Sequence, residues 1–356
     1  MTEPSTSPME PTQPSGPEGG GKNSPPSVTK AGSQKTLFIG VGVVVLVGVA
    51  AAWFMIARSG QPAATPTPKA ETGVLHIATT IDEDGIEADT KEYKPFVDYL
   101  ATQLRDQGIT KVEFVPKTSV SDVAKLLREG KVDIYIDSIF PVFVADRLSD
   151  SQLMADRWKE GVEKYHTAIF VKKASPIKTV ADLKGKMIAF DSNTSTVGYF
   201  LPKAELAKAG YKLTEKKTAT DAVAADEIGY VFVHANVFDD VENGVTPVGA
   251  ESEQEIRDHF GATFDQNYRI ITTSPDVLRF AVTSRKGLDS KLRTAIKAAL
   301  LGMDKTEAGR AVLEQFSGTA KFTDVPADSD AAYGEIQKLT DYVEDEIVRG
   351  GVGASQ

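Results

Sequence analysis

Four short hydroxyl side chains, Ser192, Thr194, Ser195 and Thr196, stand in the stretch DSNTSTVGYFLPKAEL (191–206), directly ahead of an apolar, helix-like run. One Ser or Thr is enough to cap a helix start, by accepting a hydrogen bond from a first-turn N–H. The surplus suits a second task. A helix start offers unpaired N–H groups and about half a positive charge, which makes it an anion site. Neutral hydroxyl donors beside it would complete such a site without any Lys or Arg. Gly198 leaves room for a ligand to approach the backbone. Pro202 has no N–H, so a carbonyl one turn back loses its donor and the helix is expected to bend there. The competing use of the same residues is an over-provided cap in a polar loop.

Other chemistry finds little support. There is no cysteine, which excludes disulfides, thiol catalysis, Cys-type zinc sites and a lipid-attachment cysteine. The four histidines, His76, His166, His234 and His259, are far apart and have no HExxH-like partner. No Ser-His-Asp order, P-loop or paired-carboxylate spacing stands out, so neither an enzyme nor a metal or cofactor site is expected. The run IDEDGIEAD (81–89) lacks the alternating pattern ending in Glu of a calcium loop and reads as a solvated acidic loop. Net charge is −10, and the first 35 residues contribute none of it. An acidic body argues against nucleic acid, whose phosphates need a basic footprint.

The elements that must hold the hydroxyl cluster alternate along the chain. VLHIATT (74–80), KVEFVP (111–116), VDIYIDS (132–138), YHTAIFVKK (165–173), KMIAFD (186–191), GYVFVHA (229–235), RIITTS (269–274) and VLRFAVTS (277–284) read as strands. Helices are predicted over 93–107, with Phe96, Tyr99, Leu100 and Leu104 on one face, and over 119–131, capped by Ser119 or Ser121 and stopped at Gly130. Further helices are predicted at 291–303, 309–316 and 333–348. Repeated βαβ alternation predicts parallel sheets covered by helices.

The N-terminal part is different in kind. Residues 1–35 are rich in Pro, Ser, Gly and Thr and are expected to be a disordered tail. Residues 36–57 contain the uncharged run Leu37–Ala57, bracketed by Lys35 and Arg58. About 21 residues at 1.5 Å each match the roughly 30 Å hydrocarbon core of a bilayer. The run is longer than a signal peptide's apolar region, so a single transmembrane anchor is expected. Lys30 and Lys35 precede it, which places the N-terminus in the cytoplasm and the remainder outside. A Pro/Thr/Ala linker (58–73) would hold the folded part, 74–348, off the membrane, and 349–356 reads as a flexible end.

YKPFVDYLATQL, REGKVDIYI, SPIKTVADLKGKMIAFDSNTSTVGYFLPKAEL and RIITTSPDVLRFAV follow one another over roughly 74–330 in an order and spacing that resembles the phosphate/phosphite/phosphonate-binding proteins of ABC importers. The resemblance implies an α/β, two-lobed type II periplasmic-binding fold, here preceded by the transmembrane helix and tail. Lobe 1 would hold about 74–165 and 285–348, and lobe 2 about 166–284. Two strands, near 165–171 and 278–284, would cross between them, with ligand in the cleft. The family's Ser-Thr-Ser-Gly motif at a helix N-terminus corresponds to Ser195-Thr196-Val197-Gly198, with Val197 in place of one hydroxyl.

Ligand-binding residues expected on these grounds are Thr194, Ser195, Thr196 and Gly198, with Tyr93 as a cleft-lining aromatic or a core residue. Asp137 and Ser138 join them, since ligands bind beyond the carboxyl ends of parallel strands. Tyr165 is expected to pack at the crossing. Two departures bear on the ligand. Gly229 stands where the family often has a contacting Asp, and Thr218 and Thr220 stand near the place of a usual His. Asp137 would repel a dianion unless it points away or meets a cationic group on the ligand. The implied role is capture of a small ligand for an ABC permease. The alternative is a tethered sensor acting on a membrane signalling partner.

Overall fold

VLHIATT, apolar at alternate positions, forms β1 (Val74–Thr80), and its parallel pairing with β2 (Lys111–Lys117) and β3 (Ile134–Ser138) starts the first sheet. The computed structural model describes residues 73–81, 85–233, 236–325 and 333–343. The tail, the apolar span, the linker up to residue 72 and the 349–356 end lie outside the described residues, as do Asp82, Asp84 and His234. No described helix is long and apolar enough to cross a membrane.

Parallel strands need crossovers, and two helices supply them. α1 (Ile86–Gln103) begins seven residues before the predicted start at Tyr93 and carries Pro95 inside it. Glu87 and Asp89, read as loop residues, lie in its first turn, where carboxylates complement the helix dipole. α2 (Val120–Arg128) starts at the Ser119 cap, whose Oγ accepts from the Asp122 N–H at 3.3 Å. Gly130, at φ 68°, turns the chain into β3. α3 (Ile139–Ser149) was not legible as a helix, because it is apolar on nearly every side and so lacks a helical period. The first sheet is completed by β4 (Gln152–Arg157), β13 (Phe280–Ser284) and β14 (Phe322–Asp324), in the order β14-β4-β13-β3-β1-β2. β13 runs antiparallel to both neighbours.

The second sheet has the order β11-β6-β10-β7-β9-β8. Its strands are β6 (Thr167–Lys172), β7 (Met187–Phe190), β8 (Leu213–Glu215), β9 (Ile228–Phe232), β10 (Val248–Ser252) and β11 (Tyr268–Thr273). α4 (Leu201–Lys208), α5 (Val237–Glu242) and α6 (Glu253–Phe260) pack on it. α7 (Ser290–Leu301) packs on β4 and β14, and α8 (Glu307–Gln315) on α1.

Between the sheets the chain crosses twice, at β5 (Lys164–Tyr165) and β12 (Val277–Leu278), which pair antiparallel. The segments predicted as single long strands are therefore each broken at one residue. His166 separates β5 from β6, and Arg279 separates β12 from β13. Both side chains are clamped: His166 by Asp276 and Glu253, Arg279 by Glu160 and Glu255. Phe280–Ser284 belongs to the first sheet, so the change of sheet falls at 277–278 rather than after 284.

Each sheet has its own apolar cluster, with Phe96 stacked on Phe316 in the first and Phe260 on Tyr268 in the second. A third cluster runs through both. Its joint is Phe140 of α3 stacked on Phe200 at 4.0 Å, and α9 (Glu335–Thr340) packs against both α3 and α4 behind it. Phe140→Ala should therefore cost about 3–5 kcal/mol in urea unfolding, as deletion of a buried aromatic does. An unchanged midpoint would show that the stack does not join the two halves.

Candidate functional site

β7 delivers DSNTST to the edge of the second sheet, and Ser195 caps the helix that follows: its Oγ accepts from the Gly198 N–H at 3.0 Å. The first turn, Thr196–Phe200, is a π-turn in which the Phe200 N–H reaches Ser195 O at 3.0 Å and the Leu201 N–H reaches Thr196 O. Pro202 accounts for the widening. It has no N–H for Gly198 O, and that carbonyl accepts instead from the Asp191 N–H at 3.1 Å. Val197 O, passed over by the wider turn, accepts from Thr167 Oγ1 at 2.6 Å. An i→i+5 turn also leaves one more N–H outside the ladder than an α-turn does.

The four hydroxyls divide their work. Ser192 and Thr194 lie 3.1 Å apart, oxygen to oxygen. Thr196 is 1% exposed, and its Oγ1 donates to Ser138 Oγ at 2.9 Å while accepting from the Phe140 N–H at 3.2 Å. It ties the second sheet to the first. Having accepted from Thr196, Ser138 keeps its own proton for another acceptor.

A cavity of about 240 Å³ opens between the sheets. Thr194, Ser195, Thr196 and Val197 form one wall, and Asp137 and Ser138 lie opposite. An adjoining compartment of about 260 Å³ is lined by Tyr93 and Arg157, and the two share Asp137, Lys159 and Phe280. Five of the seven expected residues thus meet in one cavity. Tyr93 lies in the neighbouring one, stacked on Phe114 at 4.1 Å, so it is a core residue with one face on the cleft. Gly198 sits behind the wall, where a Cβ would lie 2.6 Å from Asp191 Cβ and 3.0 Å from Glu251 Oε2. Tyr165 lines the cavity from the hinge.

Asp137 neither turns away nor stands bare. Its Oδ2 accepts from the Thr80 N–H at 3.0 Å and the Tyr135 hydroxyl at 2.8 Å, and its Oδ1 from the Ser138 N–H at 2.7 Å. Burial nevertheless outweighs these donors and pushes the carboxyl up to about 6.

Gly229 brings nothing to the cavity, and a carboxyl reaches it from another strand. Gly229 lies inside β9, with Val223 Cγ2 only 2.5 Å from where its Cβ would be, and does not line the cavity. Glu251, at the end of β10, does; its Oε1 accepts from the Ser252 N–H at 2.7 Å. Burial, with Glu255 and Asp191 nearby, holds Glu251 well above the carboxylate range. Arg279 Nη2 donates to Glu255 at 2.9 Å and also to Glu160. Glu251, Glu255, Lys159, Arg157 and Arg279 escaped the sequence reading. The available signal was a strand ending in Glu251 ahead of a Ser252-capped helix. Among the described residues no group of side chains is arranged to hold a metal ion.

Residues 84–332 match the family model of the ABC transporter phosphonate periplasmic substrate-binding protein. The chain belongs to this family. Members are substrate-binding components rather than enzymes. XAC2383 from Xanthomonas citri, solved bound to chloride ion, is 25% identical with a TM-score of 0.70, over 78% of this chain and 99% of that one. A second structure of it is bound to ATP. PhnD1 from Prochlorococcus marinus, in complex with methylphosphonate, is 17% identical with a TM-score of 0.57, over 76% of this chain and 98% of that one, and shares the two-lobed fold. A curated relative, the polygalacturonan/rhamnogalacturonan-binding protein YtcQ of Bacillus subtilis, is 29% identical over 142 residues. That match spans 37% of this chain and only 28% of YtcQ.

Two outcomes test the geometry. Gly198→Ala should displace Asp191 or Glu251 and weaken ligand binding by about tenfold or more in calorimetry, with the circular dichroism of the fold retained. Unchanged affinity would separate the helix start from the site. Asp137 titrates above its ordinary 3.8, so its protonated form favours folding: the associated stability is complete below 3.8 and is lost as pH rises through about 6. Across that window the melting temperature of Asp137→Asn should climb relative to wild type. A constant difference would refute the shift.

Proposed function

We propose that this family member captures a small oxyanion of the phosphate, phosphite or phosphonate class in the cleft between the two sheets and delivers it to an ABC permease. The observation that carries the reading is the π-turned helix start at Thr196, with extra N–H groups and the Thr194, Ser195 and Ser138 hydroxyls around one cavity. These donors are neutral, so they bind an anion without a basic side chain. The methylphosphonate complex of PhnD1, which shares the fold, supports the ligand class. Closure about β5 and β12 brings the two walls together around the ligand. No catalytic step is assigned to the protein. The uncharged run Leu37–Ala57 is the reason for assigning a single membrane anchor, with the N-terminus cytoplasmic and the binding domain outside.

Titration of the detergent-solubilised full chain with methylphosphonate, phosphite and phosphate should give saturable binding to at least one of them. Ser195→Ala should weaken it by roughly 10- to 100-fold, the worth of one hydrogen bond to a charged group, about 1.5–3 kcal/mol. Failure of all three anions to bind would end the oxyanion reading and leave the family membership untouched.

A further inference from the structure

Arg157, the last residue of β4, is 2% exposed, yet it lines the compartment beside the oxyanion cavity. Its guanidinium is held on three sides. Nε donates to Thr319 Oγ1 at 3.0 Å, Nη2 donates to Phe316 O at 3.0 Å, and the plane rests 3.6 Å from the Phe316 ring centre. All three partners are neutral. Nη1 has no protein acceptor among the described residues. The nearest carboxylate oxygen, on Glu92, is 3.9 Å from Nη2 and already accepts the Ser317 hydroxyl. Glu92 is thus a long ion-pair partner that makes no hydrogen bond, and a buried guanidinium so weakly paired is costly.

We propose that this compartment is a second subsite, in which Arg157 Nη1 receives a carboxylate at the far end of the ligand whose oxyanion sits at Thr194–Val197. The inference rests on the oxyanion reading above and narrows it: the ligand is a two-headed phosphono- or phosphocarboxylate. Three features select a carboxylate. A single uncommitted nitrogen offers donors to one small group, and the rigidity of the other two contacts aims it. Asp89, Glu92 and Asp137 line the same compartment and would repel a dianion more than a monoanion. Lys159, on the shared rim, adds a second cation whose nearest carboxylate oxygen is 3.8 Å away, on Glu160. The shared border at Asp137, Lys159 and Phe280 lets one short molecule reach both compartments.

Isothermal titration of the full chain with methylphosphonate, ethylphosphonate and propylphosphonate, against phosphonoacetate and phosphonopropionate, tests it. A phosphonocarboxylate should bind about tenfold or more tightly than the alkylphosphonate of equal chain length, as expected for one charge-assisted hydrogen bond. Arg157→Gln should erase that preference. Equal affinity for the two series in wild type, which needs no variant, overturns the subsite while leaving the oxyanion reading in place. A preference that survives in folded Arg157→Gln protein overturns it equally. If no phosphonate or phosphonocarboxylate binds, the two-headed ligand falls, while phosphite and phosphate still decide the oxyanion reading.

Discussion

The carbonyl of Gly198 has no helical donor, because residue 202 is proline, and it accepts the Asp191 N–H instead. Much of the cleft is arranged around that one displaced bond. The wider first turn pushes Val197 O onto the Thr167 hydroxyl, so the helix start is tied to the end of β7 and the beginning of β6 at once. With its backbone held from two strands, Thr196 can reach across to Ser138 and Phe140 of the first sheet. A wall of backbone donors is thereby fixed against the opposite lobe by hydrogen bonds that cost little to keep, since every buried group involved has a partner.

Charge in this cleft is managed by burial rather than by counting signs. Carboxyls outnumber cations along both compartments. Several of them, Asp89, Asp137, Glu251 and Glu255, are pushed upward, chiefly by burial, which lessens their repulsion of an anion. Arg279 is occupied by Glu160, Glu255 and Gln254. Arg157 contrasts with it: 2% exposed, it hydrogen-bonds only neutral acceptors, and its ion-pair partner Glu92 stands off at 3.9 Å. In the proposed reading, an acidic protein takes an anionic ligand through neutral donors and one buried cation.

A different pair of carboxylates, Glu253 and Asp276, shapes the hinge. Burial lowers the His166 ring, but hydrogen bonds to the Glu253 and Asp276 carboxylates outweigh it and raise the imidazole above its ordinary value. These contacts cross-link the ends of both crossing segments beside the two-residue ladder of β5 and β12. The short ladder leaves few backbone bonds to resist rotation of one lobe on the other. The Phe140–Phe200 stack and α9 keep the two halves packed through one apolar cluster.

Much of this was legible in the residues themselves. Eight of the strand segments, the Ser119 cap, the Gly130 stop, the helix start at Ser195 and the orphaned carbonyl behind Pro202 follow from local rules: side-chain period, capping chemistry and a missing N–H. Strands β4, β8, β10 and β14 and the helices α3, α5 and α6 did not stand out. The family pattern extended that reading to the cleft. What short-range rules could not supply was partnership. Thr196 looked like a ligand donor and is mainly a strut between sheets; Gly229 looked like the vacated carboxylate position, while Glu251 comes from another strand. Arg157 meets Thr319 across 162 residues of chain. Such encounters depend on sheet register and on where the chain changes sheet, at His166 and Arg279. Local sequence determined which groups could donate or accept; only the tertiary structure decided which were already satisfied, because satisfaction depends on neighbours that are distant in sequence.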